Sequence, residues 1–258
     1  MNQKERRIYL IRELLKEKEG TGNEEIPRSE EEQKAVLRGL MNIRKAEAVS
    51  TEFLRVQDEY LREEIERKGI VDASLLPLIR EGISLWQGDI TLLRCDAVVN
   101  AANSSMTGCY TPGHRCIDNC IHTYAGIELR LKCAEIMKTQ GFPEPAGKAR
   151  ITPAYNLPSK YVIHTVGPIV KDKVTREDEE TLSSCYRECL RRAEDNGLES
   201  IAFCCISTGA YRFPPRRAAR IAIKTVLDYL EKGSSIRLVI FNVFTDEDKR
   251  IYTELLSR

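Results

Sequence analysis

Val98-Val99-Asn100-Ala101-Ala102-Asn103 passes from β-branched to small and polar residues within six positions. A short apolar run of this kind reads as a buried strand, and its polar end marks where the chain leaves the sheet. Working outward, similar runs alternate with amphipathic stretches. Strands are predicted over Ile83–Trp86, Ala97–Asn100, Arg150–Thr152, Tyr161–Val166, Ser200–Ser207 and Leu238–Phe244. Helices are predicted over Ile117–Met137, Glu177–Asn196, Pro215–Glu231 and Glu247–Leu256. Strands separated by helices imply an α/β sheet covered on both faces. Ligands of such sheets sit beyond the carboxyl ends of the strands. Here the polar, glycine-bearing strand ends are Asn100–Asn103 and Ser207–Arg212. The charged segment Lys171–Glu180 reads as a loop entering a helix, and no internal repeat is present.

The first ~75 residues differ: their apolar spacing is helical. Ile8, Ile11, Leu14 and Leu15 make one stripe, which Gly20 and Gly22 are expected to end. Ser29 with Glu32 is a capping-box signal before Val36, Leu37, Leu40 and Ile43. Ser50 is placed to cap a third helix carrying Phe53, Leu54, Tyr60, Leu61 and Ile65, stopped by Gly69. The expected organisation is a helical extension over residues 1–76 and an α/β domain over 77–258.

Composition narrows the function. The 258 residues carry 40 basic and 39 acidic side chains, a net charge of +1. That balance argues against a phosphate-driven nucleic-acid binder. No apolar run approaches the ~18 residues of a membrane span, and Met1–Arg7 lacks the apolar core of a signal peptide. A cytoplasmic protein with no nucleic-acid or membrane partner is expected. The nine cysteines are an odd number, which argues against a disulfide framework. Five of them fall between Cys95 and Cys133, whereas Cys204 and Cys205 lie in an apolar run and read as small core residues.

Four segments in order resemble the macrodomain family: Gln87-Gly88-Asp89-Ile90-Thr91, Val98–Asn103, Tyr161–Pro168 and Ile206–Pro214. The resemblance spans roughly Ile83 to Arg258. It implies a macrodomain-type three-layer α/β/α sandwich with a mixed central sheet, and ADP-ribose as ligand. It implies further that Asp89 and Ile90 serve the adenine end and Phe244 lies beside the base. Ser207, Thr208, Gly209, Ala210 and Tyr211 would line the diphosphate, where successive amides of a tight turn can make an anion nest. Asn103 would hold the distal ribose, and Asp118 would activate water or substrate. Each residue also has a plainer reading: Asp89 or Asp118 as a helix cap, Phe244 as core, Ser207–Phe213 as an ordinary strand-to-helix turn. His122 and His164 read as packing residues.

One stretch departs from the resemblance. Hydrolytic macrodomains follow the Asn-Ala-Ala-Asn segment with a run of glycines. This chain has Cys109-Tyr110-Thr111-Pro112-Gly113-His114-Arg115-Cys116 there. Two thiolates and an imidazole within eight residues, turned by Pro-Gly, suit a tetrahedral zinc, one per chain. Cys109, His114 and Cys116 leave a fourth position open, as catalytic sites do, with Cys120 one helical turn on as a possible fourth ligand. The pattern resembles a zinc-containing microbial subclass of macrodomains that carries an N-terminal helical extension. That resemblance implies a sirtuin-type ADP-ribosyltransferase as a partner system. The implied function is a zinc-dependent hydrolase removing mono-ADP-ribose from modified protein side chains. The alternatives are an ADP-ribose-binding reader module with a structural zinc, or a hydrolase of a small acylated ADP-ribose.

Overall fold

Three helices open the chain: α1 (Gln3–Lys16), α2 (Glu30–Ile43) and α3 (Thr51–Lys68). The computed structural model describes residues 1–17 and 25–257, so Gly20 and Gly22 lie outside the described residues. Each helix starts on a side-chain cap. Asn2 and Glu5 cap α1 reciprocally. The Ser29 hydroxyl accepts from the Glu32 amide and donates to the Glu32 carboxylate, in place of the expected two-way backbone exchange. Ser50 accepts from Phe53 N at 3.1 Å, and Gly69 ends α3. Leu10, Ile11, Leu14, Leu37, Leu40, Phe53, Val56 and Leu61 bury one another in a cluster that also takes in Ile127 from later in the chain. Ile65 of α3 instead joins the main core.

The remaining elements are β1 (Val71–Asp72), β2 (Leu78–Arg80), β3 (Ile83–Gln87), β4 (Leu93–Arg94), β5 (Ala97–Ala101), α4 (Ile117–Ala125), α5 (Ile127–Gln140), β6 (Ala149–Pro153), β7 (Tyr161–Thr165), α6 (Arg176–Asp195), β8 (Ser200–Phe203), α7 (Pro215–Leu230), β9 (Leu238–Val243) and α8 (Asp246–Leu256). Seven strands form a sheet in the order β2-β3-β9-β8-β5-β7-β6. The five inner strands pair in parallel, and β2 and β6 close the edges antiparallel, so the sheet is mixed. Helices flank it, with α6, α7 and α8 packed side by side and α4 against α5 and β5. Parallel strands covered on both faces need apolar residues throughout, which is why Ala97, Val98 and Val99 are all fully buried. No helix of the described residues is long and apolar enough to cross a membrane.

Three strands escape sequence reading. β1, β2 and β4 are two or three residues long, too short to show an alternation. The strand expected over Ser200–Ser207 ends at Phe203, and Ser207 has a left-handed φ of 65° that no strand tolerates. The helix expected over Ile117–Met137 is two helices. Gly126, at φ 97°, breaks it, and the Gln57 side chain accepts from the freed Ile127 amide at 2.9 Å. A Cβ on Gly126 would stand 2.7 Å from Gln57 Nε2. Gly126→Ala is therefore expected to destabilise the fold by about 2 kcal/mol or more, from backbone strain plus displacement of Gln57. A urea midpoint equal to that of the unsubstituted chain, at equal m-value, would remove this assignment.

Candidate active site

A cavity of about 800 Å³ opens beyond the carboxyl ends of β5 and β8. Its wall includes every residue singled out in the sequence: Asp89, Ile90, Asn103, Cys109, His114, Cys116, Asp118, Ser207–Tyr211 and Phe244. The size suits a nucleotide-sized ligand.

At one end, Asp89 Oδ1 accepts from Thr91 N at 3.0 Å and from the Thr91 hydroxyl at 2.6 Å. The carboxylate thus caps the short turn Ile90–Leu92. Its second oxygen has no hydrogen-bond donor among the described residues, so capping and ligand contact are compatible. Phe244 is 77% exposed at the rim, which removes its reading as a core residue. Asn242 Nδ2 donates to Gly88 O at 2.9 Å and stitches β9 to this end.

The turn after β8 is pinned from within. Phe213 N donates to Ser207 O at 2.9 Å and Arg212 N to Gly209 O at 3.0 Å. The amides of Gly209, Ala210 and Tyr211 find no acceptor among the described residues. Gly209 and Ala210 are exposed and Tyr211 half-buried on the cavity wall, and successive free N–H groups of a tight turn can hold an anion. Gly167, which sequence reading placed only at the end of a strand, is required here: a Cβ on it would lie 2.0 Å from Ser207 Oγ.

At the other end stands Asp118, in the first turn of α4 and almost fully buried. Asn100 Nδ2 donates to its Oδ1 at 2.8 Å and Asn103 Nδ2 to its Oδ2 at 3.2 Å. Burial raises its pKa to about 6, against the opposing effect of the Asn100 hydrogen bond and the Arg130 charge. Asn103 is fully committed: its amide nitrogen also reaches Gly108 O, and its oxygen accepts from the amide and hydroxyl of Ser105. An amide has two donor hydrogens and two acceptor sites, so Asn103 meets a ligand only by exchanging one of these partners. Sequence reading had given that residue a ribose contact and had missed Asn100 as the second support of Asp118.

Behind Asp118 lie His122, Cys133 and His164, all buried, with ligand-type atoms within 4.8 Å of one another. Asn100 Nδ2 donates to His164 Nδ1 at 3.1 Å, which leaves the proton on Nε2 facing Thr152 Oγ1 at 3.0 Å. Burial holds His164 neutral, its pKa down at about 3. With both ring nitrogens occupied, His164 is a packing residue, as its mid-strand position suggests.

The segment between these ends is the Cys-His loop. Cys109 Sγ and His114 Nδ1 are 3.4 Å apart, and Cys116 Sγ lies within 4.8 Å of both. A tetrahedral zinc at ordinary bond lengths separates a sulfur and a nitrogen ligand by about 3.6 Å, so the donor set and spacing fit that ion. Burial pushes the Cys116 thiol up to about 12, with the nearby Cys109 and Asp118 adding to the rise. It is no free nucleophile at neutral pH, and a cation is what would favour its thiolate. Cys120 stands outside the cluster, its Sγ accepting from Arg38 Nη2 at 3.4 Å. Asn119 fastens the loop from inside, donating to Cys109 O and Thr111 O.

With this geometry in view, likeness to other proteins can be weighed. The family model described as Macro domain matches residues 99–222. A "Protein-ADP-ribose hydrolase" of Treponema medium is 53% identical over the whole of both chains. The chain belongs to the Macro domain family. Another protein of that name, from Staphylococcus aureus strain MSSA476, is 46% identical over 99% of this Macro domain chain and 96% of its own. The crystal structure of a Trypanosoma brucei macrodomain in complex with ADP-ribose superposes with a TM-score of 0.65 at 30% identity, covering 84% of this chain and 94% of that one. The mixed sheet flanked by helices is thus the macrodomain fold. Within this Macro domain, residues 101–120 supply most of the wall around Asp118, whereas the rest of the cavity is assembled from residues near 89, 204–211 and 242–248. Arg38, Tyr124, Asn242 and Asp248 also line the cavity, and no local sequence signal marks them.

Proposed function

We propose that this chain is a protein-ADP-ribose hydrolase that removes mono-ADP-ribose from modified protein side chains, with zinc held by Cys109, His114 and Cys116. The observation that carries this reading is Asp118: a buried carboxylate on the cavity wall, gripped by Asn100 and Asn103, two residues from Cys116 of the ligand cluster. The names of the full-length relatives support it. The adenine lies at Asp89, Ile90 and Phe244, the diphosphate on the amides of Ser207–Tyr211, and the distal ribose between Asn103 and Asp118. When bound, zinc supplies Lewis acidity at that ribose. Asp118, unprotonated above its raised pKa, accepts the proton of the attacking water. The new bond joins that water oxygen to the ribose carbon that bore the protein. The broken bond frees the side chain, which recovers a proton. Asn100 and Asn103 keep the carboxylate aimed.

The reader alternative calls for a closed site of four protein ligands, and Cys120, facing Arg38, does not supply the fourth. The sirtuin-type partner and the cytoplasmic setting rest on the resemblance and the composition.

The deciding experiment is release of free ADP-ribose from a mono-ADP-ribosylated protein. Binding of ADP-ribose without any release would move the assignment to the reader. A second measurement maps the cavity. Asp89→Ala should weaken ADP-ribose by about 1.5–3 kcal/mol, the usual value of a hydrogen bond to a charged group, or roughly ten- to a hundred-fold in Kd. Calorimetry showing unchanged affinity would displace the adenine from this end.

A further inference from the structure

Helix α2 meets the Cys-His loop through polar groups that the helix itself has no use for. Arg38 Nη2 donates to His114 O at 2.9 Å, to Asn119 Oδ1 at 3.0 Å and to Cys120 Sγ at 3.4 Å. Among the described residues no carboxylate lies within ion-pairing reach of that guanidinium, so its polar targets there are the loop carbonyl of His114 and two side chains at the start of α4. Four positions on, one helical turn away on the same face, Asn42 is almost fully buried. Its Oδ1 accepts from Gly113 N at 2.9 Å, and its Nδ2 donates to Thr123 Oγ1 at 2.8 Å. Between them Gly39 faces Pro112: a Cβ there would stand 3.8 Å from Pro112 Cβ, ordinary contact distance. Arg130 of α5 completes the join. Its Nη1 donates to Met41 O and Asn42 O at the carboxyl end of α2, and its guanidinium lies 4.3 Å from the centre of the Tyr110 ring. Residues 110, 113 and 114 are thus each held from outside, and all lie between the ligands Cys109 and Cys116.

We propose that Arg38 and Asn42 are positioning residues for the Cys109–Cys116 loop, which makes the helical segment at the start of the chain a working part of the active site. The proposal rests on the metal reading above. The groups gripped are the Gly113 N–H and the His114 C=O of a Pro-Gly turn, a backbone with few bonds of its own. Fixing them in advance lowers the ordering cost of bringing two sulfurs and a nitrogen to one ion. Outer-shell groups that orient ligands commonly set metal affinity within a factor of about 10–100. The arrangement also ties the N-terminal apolar cluster to the reactive end: α2 is buried in the cluster of α1 and α3, while the loop belongs to the cavity wall.

The test uses the full-length chain with Arg38→Met, which keeps the apolar stem, and Asn42→Ala. Zinc affinity is read by competition with a chromophoric chelator, and amide exchange over residues 109–116 is read on metal-free protein. Zinc binding should weaken about 10–100-fold and loop exchange should quicken, while the amides of β5 and β7 exchange as before. Turnover on ADP-ribosylated protein should fall at limiting zinc and recover with excess zinc, which loss of fold would not allow. If the unsubstituted chain takes up no zinc, the metal reading fails and this proposal with it. If it takes up zinc and both variants hold it as tightly with unaltered loop exchange, the proposal alone is overturned. Faster exchange throughout β5 and β7 would likewise count against it, since that is general loosening.

Discussion

Asp118→Ala is expected to lower turnover on mono-ADP-ribosylated protein by at least about a hundred-fold, the lower end of what a positioned base contributes, and to leave ADP-ribose affinity nearly intact. Asp118 bonds to Asn100 and Asn103 beside the Cys-His loop, and among the described residues no hydrogen bond ties it to Asp89 or to the Ser207–Tyr211 amides that would carry ground-state binding. Interactions made only in the transition state appear in kcat rather than in affinity. Asp118→Asn is the stricter variant. It keeps the shape, and it removes a charge whose burial is unfavourable enough to raise its pKa to about 6. Burying a carboxylate costs stability, whereas turning one of the two oxygens that accept from Asn100 and Asn103 into an NH2 loses a hydrogen bond; the two effects oppose, and the asparagine variant should melt close to the unsubstituted chain. Lost turnover with a nearly unchanged melting temperature separates chemistry from misfolding. Full turnover in both variants would remove Asp118 from the reaction.

Metal removal should produce an effect of comparable size. One zinc per chain is expected on protein purified without added metal, and chelation should abolish most hydrolysis. Lewis-acid stabilisation amounts to several kcal/mol, or on the order of a thousand-fold in rate. Adenine and diphosphate contacts arise from Asp89 and the Ser207–Tyr211 turn, which owe nothing to Cys109, His114 or Cys116, so calorimetric affinity for ADP-ribose should survive on the same chelated sample. Cys116→Ser should behave as the chelated protein does. A structural metal couples the readouts differently: affinity, turnover and melting temperature would then decline together. That pattern, or protein free of zinc with full activity, would sink the catalytic assignment.

Sequence and structure agree most where periodicity is strong. The buried run Val98–Asn100, the strand around His164 and the long amphipathic helices are legible because burial on one or both faces writes itself into residue type. The cavity residues are legible for another reason: strand ends are where apolar runs turn polar, and Asp89, Asn103 and Ser207 all sit at such places. What was not legible depends on partners distant in the chain. Gly126 reads as one more helical residue until Gln57 is seen to occupy the space beside it. Asn103 reads as a ligand contact, and only the fold shows that Ser105, Gly108 and Asp118 already hold its amide, so that a ligand must displace one of them. Arg38 belongs to a helix whose stripe speaks only of packing, and its guanidinium meets residues 114, 119 and 120 solely because the fold brings α2 there.

The uneven assembly of the cavity wall has an evolutionary consequence. The recognition end is stitched from segments scattered along the chain, so altering it means coordinating distant changes under the constraint of the core. The reactive end lies mostly within residues 100–118, between β5 and the first turn of α4, with Arg38 and Asn42 of α2 gripping it from outside. A change to the intervening cassette must therefore keep or replace the grip of α2 on residues 113 and 114, whereas the Asp89 end shares no segment with it.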